Sequence, residues 1–155
     1  MLQVSLICIG KTNENYVKEG IEKYLKLLSK HCKIELIELS DVKNGNKLPP
    51  EKLKEAEAEV LKPFFKNKSL NIFLDENGIQ QNSVSFANYL EKRTLINSKI
   101  QFFIGGSFGF HAQIKSEGEL ISISSMTFNH QVIRVIILEQ LFRAFAILRN
   151  TGYHH

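Results

Sequence analysis

QFFIGGSFG, residues 101–109, decides how the chain is read: the strand-forming run Gln101-Phe102-Phe103-Ile104 passes straight into Gly105-Gly106-Ser107-Phe108-Gly109. A strand that ends in adjacent glycines leaves backbone N–H groups unshielded by any Cβ, so a ligand can approach the main chain and find donors there. A second turn-rich segment, Ser122-Ile123-Ser124-Ser125-Met126-Thr127, follows another apolar run and precedes a long apolar helix. Open α/β sheets bind ligands at the carboxyl ends of their strands, where both segments fall if the two runs are neighbouring parallel strands. Either segment alone reads as an ordinary connection, and it is the pair that marks a site.

Working outward, strands alternate with helices along the whole chain. Residues 2–9 alternate and are rich in β-branched types, and Gly10 with Thr12-Asn13 supplies a turn and a helix cap. Val17, Ile21, Tyr24 and Leu28 then recur at helical spacing on one stripe. Ile34, Leu36 and Leu39 between charged residues predict a second strand with one wet side, near a sheet edge. Residues 40–50, SDVKNGNKLPP, form a loop by composition, and residues 51–60 a helix that Pro63 bends or stops. A third strand over 69–75 carries Leu74 at its end and stops at Glu76-Asn77-Gly78. Ser83 caps a further helix bearing Phe86, Leu90 and Arg93, 99–104 is the fourth strand, 111–117 a short helix and 119–124 a fifth strand. This alternation predicts a single α/β domain spanning residues 1–155, with a mostly parallel sheet flanked by helices.

The last helix, predicted over 129–148, has apolar residues around nearly its full circumference, from Val132 and Ile133 to Ile147 and Leu148. One sheet face cannot shelter them all. With no spare segment in a chain of 155 residues, a second copy of the protein is expected to cover the far side in a two-fold homodimer, the competing arrangement being a central helix within one subunit.

Composition narrows the partners. The net charge of +4 and pI near 9.0 favour a polyanionic partner, although the sixteen lysines spread over helix surfaces read as solvated faces. There are only four arginines, and three of them, Arg134, Arg143 and Arg149, lie at the last helix. No apolar run is long enough for a membrane span, the N-terminus lacks a leader pattern, and Cys8 and Cys32 form neither a disulfide framework nor a metal spacing. A cytoplasmic protein without metal or membrane partners is expected.

FFIGGSFG (102–109), SISSMTFNHQVIRVIILEQLFRAFAIL (122–148) and the terminal Gly152-Tyr153-His154-His155 together resemble the RlmH family of ribosomal methyltransferases, members of the SPOUT superfamily. The resemblance runs end to end and is most specific in the carboxyl third. The chain departs from the family at Ile79, where Lys is common, at Phe110 for Leu, at Asn129 for Pro and at Phe142 for Tyr. The resemblance implies a SPOUT-type α/β fold with a C-terminal trefoil knot, a connection that ordinary chain-crossing rules would reject. It implies S-adenosylmethionine (S-adenosyl-L-methionine) bound in the knot, a homodimer, and methylation of N3 of a pseudouridine in 23S rRNA, within the large subunit or the assembled ribosome. By matching positions it assigns the cofactor to Leu74, Gly105, Gly106, Ile123, Ser124, Ser125, Met126, Thr127 and Phe128.

Methyl transfer from a sulfonium is an in-line displacement that needs positioning and a dry site. The acceptor imide must lose a proton, so a base or an anion-stabilising group is expected near it. His130, Arg134, Tyr153 and His154 are the catalytic candidates, the arginine for a phosphate or developing oxyanion and the histidine or tyrosine for the proton. Each has a structural competitor: a helix-start role for His130, an ion pair with Glu139 for Arg134, a frayed tail for Tyr153 and His154. Two other functions compete: a dinucleotide-binding enzyme, disfavoured by incomplete glycine spacing, and a catalytically silent ribosome-binding dimer.

Overall fold

The computed structural model describes residues 1–66 and 68–155. Its strands are β1 (Gln3–Ile9), β2 (Lys33–Leu39), β3 (Leu70–Gln80), β4 (Lys99–Ile104) and β5 (Glu119–Ser122). Its helices are α1 (Asn15–Leu28), α2 (Pro50–Phe65), α3 (Ser83–Thr94) and α4 (Val132–Leu148), with short helical turns at Gly45–Lys47 and Ala112–Glu117. The strands form one sheet in the order β2-β1-β4-β3-β5, every neighbouring pair parallel. The α/β class and the edge position of β2 are as the sequence predicts.

Strand periodicity sorts the core into two layers. Along β4, Ile100, Phe102 and Ile104 face one side, where Val17, Leu28, Leu90, Ile137 and Leu141 from α1, α3 and α4 meet them. Phe103 faces the other side and stacks on Phe73 at 5.1 Å, in a smaller core closed by Ala58 and Leu61 of α2 and by Phe110 and Ile114. On that second side Gln101 is buried, and its amide is spent on the Phe64 carbonyl (3.1 Å) and Asn71 Oδ1 (2.8 Å).

Several boundaries differ from the sequence reading, each for a local reason. Thr12 and Asn13 do not cap α1, which starts at Asn15 behind Glu14, because tertiary partners take them: Thr12 Oγ1 accepts from Arg134 (2.9 Å) and Asn13 N–H donates to Gln131 Oε1 (2.8 Å). Helix α2 runs through Pro63, which falls in its last turn, and ends two residues later at Phe65. Asn82, not Ser83, caps α3, accepting from Ser85 N–H at 2.8 Å, while Ser83 Oγ donates to Gln140. Strand β5 stops at Ser122, and α4 begins at Val132 after an irregular segment in which Asn129 Oδ1 accepts from Gln131 N–H.

The predicted stop of β3 at 76–78 is instead a bulge. Leu74 and Ile79 both register against Ile121, so residues 75–78 are left out of the pairing, which continues with Gln80 against Ser122. Helix α4 lies between α1 and α3 in the same chain, with Gly20 giving Val135 room to approach. That flank covers more of α4 than one sheet face would, and leaves Val132, Ile136, Phe142 and Ile147 half-buried.

Candidate functional site

β4 and β5 sit on either side of β3, so the loops leaving them rise together above its carboxyl end. They enclose a cleft of about 740 Å³. One wall is the turn after β4: Gly109 N–H donates to the Gly106 carbonyl at 3.1 Å, and Gly109 takes φ +79°, a left-handed conformation that a side chain would oppose. The opposite wall is the serine turn after β5. Here Ser122 Oγ donates to the Ser124 carbonyl (2.9 Å) and Ser124 Oγ accepts from Met126 N–H (3.0 Å), so the hydroxyls hold the loop's own shape. The floor is Leu74, Ile104 and Ile133.

Of the residues assigned to a cofactor, Leu74, Gly105, Gly106, Ile123, Ser124, Met126, Thr127 and Phe128 line this one cleft; Ser125 is exposed and is not among its lining residues. His130 lines it too, exposed at the lip. Arg134 does not. It is the largest fully buried side chain, and its guanidinium donates to the carbonyls of His130 (3.0 Å) and Ile9 (3.1 Å), to Thr12 Oγ1 and to Glu38 (3.3 Å). Its ion-pair partner is thus Glu38 and not Glu139.

Tyr153 and His154 also lie apart from the cleft lining. After α4 the chain turns at Asn150 (φ +53°) and Gly152 (φ +78°), and the tail folds back on the helix. Tyr153 stands edge-on to Phe142 at 4.8 Å, under the Arg143 guanidinium and with its hydroxyl donating to Glu139 (3.3 Å); His154 Nδ1 is 3.2 Å from Arg143. Partial burial and the neighbouring Tyr24 and Glu139 push the Tyr153 phenol up to about 12, so it is a neutral hydrogen-bonding group here and not a phenolate.

Sequence reasoning missed the acid–base rim of the cleft. The β3 bulge brings Asp75, Glu76 and Asn77 into it, with Asp75 accepting from Asn77 N–H and paired to Lys115 at 3.0 Å. It also missed Glu57, buried behind Gly106, although Leu53, Glu57 and Leu61 at four-residue spacing place that acid on the apolar stripe of α2. The two thiols offer no nucleophile: burial pushes Cys8 up to about 12 and Cys32 up to about 11. Among the described residues no cluster of His, Cys, Asp or Glu is placed to hold a metal ion, and no helix is long and apolar enough to cross a membrane.

The fold and cleft define a parallel α/β protein with a cleft of small-ligand size between glycine- and serine-built turns. The chain belongs to the SPOUT methyltransferase family: a family model described as "Predicted SPOUT methyltransferase" matches residues 2–154. It is similar over nearly its full length to proteins named ribosomal RNA large subunit methyltransferase H. The one from Malacoplasma penetrans is 38% identical over 157 residues, covering 99% of each chain. Those from Parabacteroides distasonis and Pseudothermotoga lettingae are each 38% identical, covering 99% of this chain and 99% and 100% of their own.

Proposed function

We propose that this methyltransferase transfers a methyl group from S-adenosylmethionine to N3 of a pseudouridine in 23S rRNA of the large ribosomal subunit or assembled ribosome, as a cytoplasmic homodimer whose carboxyl third is knotted. The supporting observation is that a single cleft gathers eight of the nine positions assigned to the cofactor. The cleft's chemistry fits that ligand. Met126, Phe128 and Phe108 stand exposed at its rim, apolar surface that an adenosine would cover, and the adjoining turns present backbone groups to ribose and base edges. Leu74, Gly105, Gly106, Ile123, Ser124, Met126, Thr127 and Phe128 would hold the cofactor, which when bound supplies an electrophilic methyl on a sulfonium.

The chain's own residues then have three tasks. Leu74, Ile104 and Ile133 exclude water from the floor, so that attraction between the sulfonium and the deprotonated nitrogen, both neutralised in the displacement, is not screened. His130, exposed at the lip, accepts the N3 proton of the acceptor. Arg134 acts from the interior as a positioning residue, fixing the His130 carbonyl and with it the start of α4. Tyr153, His154 and Arg143 serve the acceptor from the second subunit, since in one chain they lie along α4 away from the cleft. The half-buried Val132, Ile136 and Ile147 supply the apolar part of the dimer face.

Calorimetry with S-adenosylmethionine tests the reading at its base: binding is expected, and absence of heat with no thermal shift overturns it, while a shift with a nicotinamide dinucleotide would favour the rival enzyme class. Removing residues 153–155 is expected to abolish methylation with cofactor affinity retained, and His130→Ala to slow turnover roughly a hundredfold. Lost cofactor binding in the truncated chain would place the tail in a different role.

A further inference from the structure

Glu57 is only 7% exposed, and its Oε1 is buried without a hydrogen-bond partner. A buried polar group left unpaired is costly, so its presence asks for a use. Its carboxyl presses on the back of the turn after β4: a Cβ built on Gly106 would lie 2.3 Å from Oε2 and 2.8 Å from Oε1. Ile9, Ala58, Leu61 and Ile114 pack around it and leave no room for a water molecule. The front of the same turn is the cleft wall. At Gly106 no side chain intervenes, so the backbone alone separates this carboxyl from the ligand space.

We propose that Glu57 is a specificity-determining residue, whose carboxylate behind Gly106 makes the cleft hold a cationic sulfonium donor more tightly than the uncharged thioether left after methyl transfer. The inference rests on the methyl-donor reading above and adds a reason why spent cofactor leaves. Adenosine contacts are common to both forms and cannot tell them apart. A fixed negative charge in a dry setting can, because its attraction is weakly screened.

Of the cleft's carboxylates, Glu57 is the buried one without an ion pair, whereas Glu76 is exposed to water and its charge is screened. Lys54, one turn earlier on α2, is paired with Glu51 at 2.6 Å, and across the cleft Lys115 is paired with Asp75. Asp41, in the loop after β2, repels the carboxylate, and together with burial it pushes Glu57 up to about 7. His111, at the turn before the Ala112–Glu117 helical turn, borders the same space, and Glu76 and His130 line the cleft in front of it. Glu57 is therefore neutral below about pH 7 and charged above it, and binding of a cation draws its proton off. The preference for donor over product should grow as pH rises.

The test is calorimetry on the full chain with S-adenosylmethionine and with S-adenosylhomocysteine, each at about pH 6 and about pH 8, for wild type and Glu57→Gln. In wild type the affinity ratio of donor to product is expected to rise roughly three- to tenfold across that interval. In Glu57→Gln, which keeps the shape and loses the charge, the ratio should stay flat. A wild-type ratio that does not change with pH overturns the inference, a result that needs no variant to fold. So does a Glu57→Gln profile that keeps the wild-type slope, which would assign the effect to another charged group of the cleft. If the donor fails to bind at either pH, the methyl-donor reading falls and takes this inference with it; if both ligands bind with a constant ratio, only this inference falls.

Discussion

Helix α4 carries two arginines, each paired with a glutamate, in opposite surroundings. Arg134 is fully enclosed, pairs with Glu38 from β2, and has donors committed to groups on the β1–α1 connection. Arg143 pairs with Glu139 one turn away on its own helix at 2.6 Å and is partly open, with Tyr153 and His154 laid against it. The first pair joins segments far apart in the chain, whereas the second decorates one helix. The same residue type is thus a brace at one end of α4 and an approachable cation at the other. Burial and partner count, and not charge, separate the structural arginine from the one free to meet a polyanion.

The comparison can be broken most directly at the brace. Arg134→Ala leaves Glu38, Thr12 Oγ1 and the Ile9 carbonyl without their shared donor, so it should cost about 3–5 kcal/mol in urea denaturation. A loss below 1 kcal/mol would refute the division between the two arginines. A carboxylate without a partner sharpens the point in the opposite direction. Glu57 has its folded-state pKa raised from 4.5 to about 7, so stability falls as pH rises through that window and is not recovered above it. Glu57→Gln should therefore be more stable than wild type by about 1–2 kcal/mol near pH 8, with no such gain near pH 4 in thermal denaturation. The smallest stability effect belongs to Arg143→Met, at most about 1 kcal/mol, since a partly open pair on one helix contributes little. Its methylation rate should nonetheless fall at least tenfold, and equal losses in rate and stability would make Arg143 a brace as well.

Most of the sheet was legible because its signals are local. The β-branched, apolar character of 2–9 and the apolar run 101–104 report central strands, the stripe Val17, Ile21, Leu28 reports a buried helix face, and the glycine and serine turns mark where strands end. What sequence misplaced is what distant partners decide. Thr12 has the chemistry of a helix cap and is taken instead by an arginine 122 residues away. Glu76-Asn77-Gly78 has the composition of a turn but folds as a bulge, because Gly78 lets the backbone of Ile121 pass so close that a Cβ would meet it at 2.6 Å. In the site, the backbone-built walls were readable from glycine and serine spacing and from the family resemblance. Arg134 and the tail residues were grouped with His130 because proximity in sequence says nothing about which side of α4 each occupies.

The Arg134 brace has a consequence for the order of assembly. Gln131 and Arg134 bond to residues 118–125 positions earlier, at Lys11, Asn13, Thr12 and Ile9. Such a link forms only after the chain has closed a loop longer than that between the neighbouring strands β1 and β4, an entropic toll that local helices never meet. During synthesis the amino-terminal strands emerge and pair while their guanidinium partner is still unmade. The start of α4, with His130 at the lip of the cleft, is thus fixed only when the final fifth of the polypeptide swings back onto its beginning.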